Sequence, residues 1–383
     1  MSAQPSPFDT VPVSGHAADV NLDSTVDLTT PEGLAAYLAL TKFAAAEVQT
    51  LSGGSSGFTY RVVLKTPEAG GPKNVVVKHS FGHASSNKTI IIGRERMTFE
   101  YEALKAINQS GLFTPASTVQ LPRVLHYDTE TYKLIMTELA PARMLSSILI
   151  EAFENGTIEA VSARLGAALG DFMGRFHRWS SMPKQEALRK RFLENSVSRE
   201  TVLGIHCWSM NTTAEKYGMK KDWMDEMTKE GMVDAAAGGT VIAMAGFWFD
   251  NVLVITEPEL RIYIIDWEMS RCARPELDVA HFATAAHSVV HLYPSSAANF
   301  KLMQNFMRGY NYHLELDVVQ VALSAGRDVL AFGVMMPWIR HRDEGVKQAI
   351  AQCGADLLEA AHTGDVERIK QNVVVRDMYT VSL

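Results

Sequence analysis

Residues Val241–Glu268 read VIAMAGFWFDNVLVITEPELRIYIIDWE, and the fold turns on this stretch. Two apolar, strand-like runs, Val252–Thr256 and Arg261–Ile265, are joined by the turn Glu257-Pro258-Glu259. A loop ending in Asn251 precedes the first run, and Asp266, Trp267 and Glu268 follow the second. A short hairpin brings its two ends together, so the Asn251 side chain and the Asp266 carboxylate can meet at one point. Two hard oxygen ligands at one point suit Mg²⁺ bound to nucleotide phosphates. The same residues also suit a plain buried hairpin with an Asx turn at one end and a helix cap at the other.

Working back from the hairpin, VQTLSGGSSGFTYRVVLKT (48–66) reads as strand, glycine/serine loop, strand. Gly53, Gly54 and Gly57 permit tight turns and let backbone amides approach phosphate oxygens, although such loops are often simple turns. It lacks the Gly-Lys-Ser/Thr of a Walker loop. Next, NVVVKHS (74–80) is a valine-rich strand carrying Lys78. A lysine there either snorkels to water at a sheet edge or needs a buried anionic partner. The following segment, GRERMTFEYEALKAIN, places Met97, Tyr101, Leu104 and Ile107 on one face at helical spacing. Glu100 lies one turn before Leu104, beside that face, and is the expected partner of Lys78; Glu102 should point away. LPRVLHYDTETYKLIMTELA (121–140) reads as a hairpin. Thr30-Pro31-Glu32 starts an earlier helix that should run to about Thr41.

Beyond residue 140 the pattern is mainly helical. Val161–Trp179 is amphipathic, with Leu165, Leu169, Phe172 and Phe176 on one face and His177 near its end. After the hairpin, Pro275-Glu276-Leu277-Asp278 opens another helix, with Asp278 in its first turn. Three more helices are expected at about 295–312, 317–341 and 344–363, the second ending or kinking near Pro337. Residues 366–383 form a short tail.

With these motifs in order, the chain resembles the aminoglycoside phosphotransferase and choline kinase family. FWFDNVLV followed by IIDWE is similar to that family's catalytic hairpin, His-Gly-Asp or Met-Gly-Asp, four residues, Asn, strand, turn, strand, Asp. The resemblance covers about residues 34–340. It implies an α+β, protein-kinase-like two-lobed fold: a small N-terminal antiparallel sheet plus one helix (31–139), then a larger, mainly helical lobe (140–365). Residues 1–30 would be a flexible arm. ATP and Mg²⁺ are the implied cofactors. Gly53, Gly54, Ser55 and Ser56 would contact phosphates; Lys78, paired with Glu100, would hold the α/β-phosphates. Met136–Leu139 would be the hinge, with Thr137 and Leu139 reading the adenine edge through their backbones. Asn251 and Asp266 would bind the metal, and Asp278 would buttress the catalytic loop.

The departure is at Gly246. Five residues before Asn251, where the family carries its catalytic Asp, stands glycine, with Met244 and Ala245 before it. Glycine offers neither carboxylate nor hydrogen bond, and loss of a general base slows transfer by about 10²–10⁴-fold. Asp250 is the nearest surrogate, adjacent to Asn251 rather than five residues before it, and Glu268 is another acid nearby. Three readings follow: an ATP-dependent phosphotransferase acting on a small hydroxylated, amine-bearing molecule; a pseudokinase that binds nucleotide; or a kinase-like cleft reassigned to chemistry without ATP.

Composition bounds these readings. A net charge of −7 with no Lys/Arg stripe argues against nucleic acid as a partner. No apolar run has the length of a membrane span, and the N-terminus has neither the basic nor the apolar region of a secretory signal. Three widely spaced cysteines, Cys207, Cys272 and Cys353, fit a reducing, cytoplasmic setting without a disulfide framework.

Overall fold

The computed structural model describes residues 27–51 and 56–380; Gly53, Gly54, Ser55 and most of the expected N-terminal arm lie outside the described residues. The chain divides into two compact units. The first is Met1–Gly111 with Leu121–Pro141, and the second is Leu112–Gln120 with Ala142–Leu383.

The first unit is a five-stranded antiparallel sheet with two helices. Helix α1 (Pro31–Leu38) begins where the sequence predicts: the Thr30 hydroxyl accepts the Gly33 N–H, and Pro31 takes the first helical position. Strands β1 (Ala45–Thr50), β2 (Phe58–Leu64) and β3 (Asn74–His79) follow, then α2 (Arg96–Gln109). Strand β4 (Val119–Gln120) belongs to the other unit, and β5 (Val124–Asp128) and β6 (Lys133–Thr137) complete the sheet in the order β1-β2-β3-β6-β5. Alternation decides which side chains face α1: Tyr60, Val62 and Leu64 of β2 and Val75 and Val77 of β3 pack with Leu34 and Leu38. Lys78, one residue beyond Val77, falls on the opposite face.

The second unit is mostly helical: β7 (Arg143–Met144), α3 (Leu145–Glu154), α4 (Ile158–Ser181), α5 (Glu186–Leu193), α6 (Leu203–Lys216) and α7 (Trp223–Ala237). Then come β8 (Val241–Ala243), β9 (Val252–Ile255), β10 (Arg261–Ile264), β11 (Arg271–Ala273), α8 (Glu276–Val290), α9 (Leu302–Tyr310), α10 (Val318–Asp328), α11 (Glu344–His362), α12 (Val366–Gln371) and α13 (Arg376–Tyr379). The long helix α4 meets α9 at very close range. A side chain at Gly170 would place its Cβ 1.9 Å from the Phe306 carbonyl oxygen, so only glycine permits this approach. No helix among the described residues is long and apolar enough to cross a membrane.

Three expectations are corrected. Residues 112–120 were expected in the N-terminal part, but β4 pairs in parallel with β10 and sits in the second unit. The helix expected over 317–341 ends at Asp328 and passes into a π-helical stretch, Val329–Gly333, before Pro337. Proline removes an amide donor and its ring opposes the carbonyl four residues back, so the helix ends before reaching it. The helix expected from about Ser295 begins at Leu302, after a 3-10 turn over Pro294–Asn299.

Candidate active site

In the first unit, Lys78 Nζ lies 2.7 Å from Glu100 Oε2, and both side chains are buried. The strand alternation that turns Val77 toward α1 turns Lys78 toward α2. The helical period puts Glu100, not Glu102, on the buried face of α2. A buried ammonium without a carboxylate would be costly, so each residue requires the other. Beside this pair, Arg96 is fully buried at the start of α2. Its Nη2 donates to the Ser56 carbonyl at 2.7 Å, and its Nη1 to the Gly93 carbonyl at 2.9 Å. The glycine/serine loop is thus fastened at its C-terminal end to the helix that carries Glu100. Sequence reading missed Arg96; its signal was a cation in a helix's first turn, where the dipole disfavours one. Thr137 donates its amide to the Arg123 carbonyl and accepts the Arg123 amide on its hydroxyl, both at 3.0 Å. Leu139 lies just beyond, half-buried.

In the second unit, one carboxylate organises the loop between β8 and β9. Asp278 accepts the Met244 amide on Oδ2 and the Ala245 amide on Oδ1, each at 2.8 Å. This is the buttress expected from the resemblance rather than a plain first-turn acid. The same Oδ2 lies 3.0 Å from His177 Nε2, and His177 Nδ1 lies 2.7 Å from the Tyr310 hydroxyl. Because Asp278 can only accept, Nε2 carries the proton and Nδ1 accepts from Tyr310. His177 is therefore a buried strut between α9, α4 and α8, not a group facing a ligand. Apolar packing holds the loop as well: Phe247 stacks on Phe282 with centroids 4.7 Å apart, and Phe249 meets the same ring edge-on.

Within this loop, Ala245 has φ +55°, the left-handed region where the family pattern carries glycine. Gly246 follows. Its carbonyl accepts the Asn251 side-chain amide at 2.9 Å, which orients Oδ1 of Asn251 as the remaining acceptor. The Ile265 amide donates to the Asn251 carbonyl at 3.0 Å, closing the hairpin, so Asn251 and Asp266 flank one end of it. Asp266 also adopts a left-handed conformation, φ +68°, and its carboxylate lies within 4.8 Å of that of Glu268. An amide oxygen and carboxylates are hard donors, the set that suits Mg²⁺ rather than a softer metal. A Cβ built on Gly246 would stand 3.5 Å from Asn251 Nδ2 and 3.9 Å from the Asp266 carbonyl, ordinary contacts, so the site has room for a side chain there. Asp250 turns toward α3, where the Ser146 hydroxyl donates to Oδ1; burial pushes its carboxyl pKa up.

A 4-hydroxytryptamine kinase of Psilocybe cyanescens is 28% identical over 342 residues, 85% of this chain and 92% of that one. A protein of the same name from Psilocybe cubensis is 29% identical over 268 residues, 67% of this chain and 72% of that one. Among solved structures, a choline/ethanolamine kinase family protein from Mesorhizobium loti overlays with a TM-score of 0.46 at 15% identity, covering 90% of this chain and 98% of that one. The profile of the phosphotransferase enzyme family matches residues 47–298, from the first strand to beyond the β9–β10 hairpin, and this chain belongs to that family.

Proposed function

We propose that this chain is an ATP-dependent phosphotransferase whose acceptor is a small hydroxylated amine with a phenol-type hydroxyl. The observation that carries the reading is the loop Met244–Asn251, held by Asp278 as the family resemblance implies although Gly246 lacks a carboxylate. Lys78, oriented by Glu100, would neutralise phosphate charge. The backbone amides of Gly53, Gly54, Ser55 and Ser56 would line the phosphates, and Thr137 and Leu139 would lie along the adenine edge. Asn251 and Asp266 would hold Mg²⁺, which supplies charge neutralisation on the phosphates when bound. In the transfer, the bond from the γ-phosphorus to the ADP oxygen breaks, the acceptor oxygen bonds to that phosphorus, and the hydroxyl proton is released.

The fate of that proton selects the acceptor. A phenol ionises with a pKa near 10, against roughly 15.7 for water, so a phenol-type hydroxyl depends least on a general base. The relatives named 4-hydroxytryptamine kinase carry a hydroxylated amine in their name, which supports the same class. A cytoplasmic location fits the three free cysteines.

The test mixes the chain with ATP, Mg²⁺ and matched pairs of amines bearing a phenolic or an aliphatic hydroxyl and follows acceptor-dependent ADP release and phosphorylated product by mass. Product from phenolic acceptors, in excess over aliphatic ones, is expected. ATP binding without product from any acceptor would leave a nucleotide-binding protein. Absence of ATP binding would leave chemistry without ATP.

A further inference from the structure

Far along α8 from Asp278, three metal-ligating side chains converge. His287 and His291 stand four residues apart on one helical face, and Cys353 approaches from α11. The two Nε2 atoms are 3.2 Å apart, and one ring nitrogen of each histidine lies within 4.8 Å of the Cys353 sulfur. His287 is buried; His291 and Cys353 are half-buried. A tetrahedral zinc ion with Zn–N bonds of about 2.05 Å sets its two imidazole nitrogens about 3.3 Å apart. The observed separation matches. A bare imidazole–imidazole hydrogen bond also fits 3.2 Å, but it gives no reason for a thiol at the same point.

The surroundings act on a cation in both directions. His291 caps the C-terminus of α8, where the last carbonyls carry partial negative charge. Arg376 lies near enough to His287 to oppose a cation; the thiolate that Cys353 becomes on losing its proton offsets it.

We propose that His287 Nε2, His291 Nε2 and Cys353 Sγ form a structural site for a divalent transition metal of the zinc class, with water as the fourth ligand, clamping α8 to α11. Nitrogen and sulfur donors select such an ion over Mg²⁺, so this site is chemically distinct from the oxygen donors Asn251 and Asp266. The helix it clamps is the one whose first turn holds the catalytic loop through Asp278.

The test needs no activity measurement. The full chain is stripped with a chelator and titrated with Co²⁺, then with Zn²⁺ or Mg²⁺ as competitor. One equivalent of Co²⁺ should bind, with tetrahedral d–d absorption and a thiolate-to-cobalt charge-transfer band. Zn²⁺ should abolish both and Mg²⁺ should leave them. Cys353→Ser should lose the charge-transfer band, and His291→Gln should weaken binding by roughly tenfold or more. Zn²⁺ should raise the melting temperature of the wild type but not of Cys353→Ser. Absence of the band in the wild type overturns the proposal, leaving a histidine–histidine hydrogen bond. So does its persistence in Cys353→Ser, which would assign the thiolate to Cys207 or Cys272. Should Cys353→Ser not fold, His291→Gln, at a half-exposed position, carries the same test: undiminished affinity rejects the site.

Discussion

The His177 imidazole and the Asp278 carboxylate lie 3.0 Å apart with neither side chain exposed, and Asp278 uses both oxygens to hold the amides of Met244 and Ala245. The loop from Met244 to Asn251 is therefore positioned from behind by a buried acid. Asp278→Ala would orphan the buried Met244 amide, the part-buried Ala245 amide and the His177 N–H. It should cost about 3 kcal/mol or more of stability, and loosen Asn251 through the loop it belongs to. Urea unfolding and nucleotide-dependent thermal shift together check this; a variant as stable as the wild type with an unchanged shift would deny Asp278 its anchoring role.

Lys78 and Glu100 make a second prediction, in two parts. Lys78→Met should reduce acceptor-dependent ADP release by roughly 10²-fold or more, as expected for removal of a charge that stabilises the transferring phosphoryl group. It should also lower stability, because the buried Glu100 carboxylate loses the ammonium 2.7 Å away. Replacing both, as Lys78→Met with Glu100→Leu, should restore much of the stability and none of the activity. Recovery of activity in the double variant would show that the pair is structural only.

Gly246→Asp addresses the departure in the catalytic loop directly. The position is not in the left-handed region, and a Cβ there meets no atom closer than 3.5 Å, so the backbone tolerates a side chain. If only a general base is lacking, turnover should rise by about 10²–10⁴-fold for an aliphatic acceptor and by less for a phenolic one. Single-turnover rates with a matched acceptor pair read this out. An equal change for both would contradict the argument that acceptor acidity replaces the base.

Acid stability follows from two buried histidines. Burial, with Lys133 nearby, holds His79 down to about 4. Burial likewise holds His206 down to about 4, although Asp328 pulls the other way. Both start from an ordinary value of 6.5. Between 6.5 and 4 the unfolded chain binds protons that the folded chain refuses, so stability is full above pH 6.5 and falls as the pH drops toward 4. Shifts of this size amount to at most about 3 kcal/mol each. Urea midpoints at half-unit steps from pH 7 to 4 should decline through this window, and His206→Asn should flatten part of the decline. A midpoint constant from pH 6.5 to 4.5 would contradict it.

Much of this molecule is local enough to be written in its sequence. The period of α2 and α4, the alternation in β2 and β3, the Thr30-Pro31 start of α1 and the 252–264 hairpin each arise within a few residues, where backbone sterics and apolar periodicity act. The order of these pieces made the family legible, and helical phase alone separated Glu100 from Glu102. What the sequence could not show depends on residues far apart in the chain. Strand β4 is two residues long, too short to alternate, and exists only because β10 offers an edge. Arg96 reaches the Ser56 carbonyl because sheet and helix pack together. Asp278 could have been an ordinary first-turn acid; only the return of residues 244–245 to its side, with His177 behind, makes it an anchor. His287 and His291 share a face by helical spacing, but their meeting with Cys353 depends on α8 and α11 both packing against α10 and the Val329–Gly333 stretch. Spacing along a chain sets which side chains share a face, and close packing of distant segments sets which faces meet.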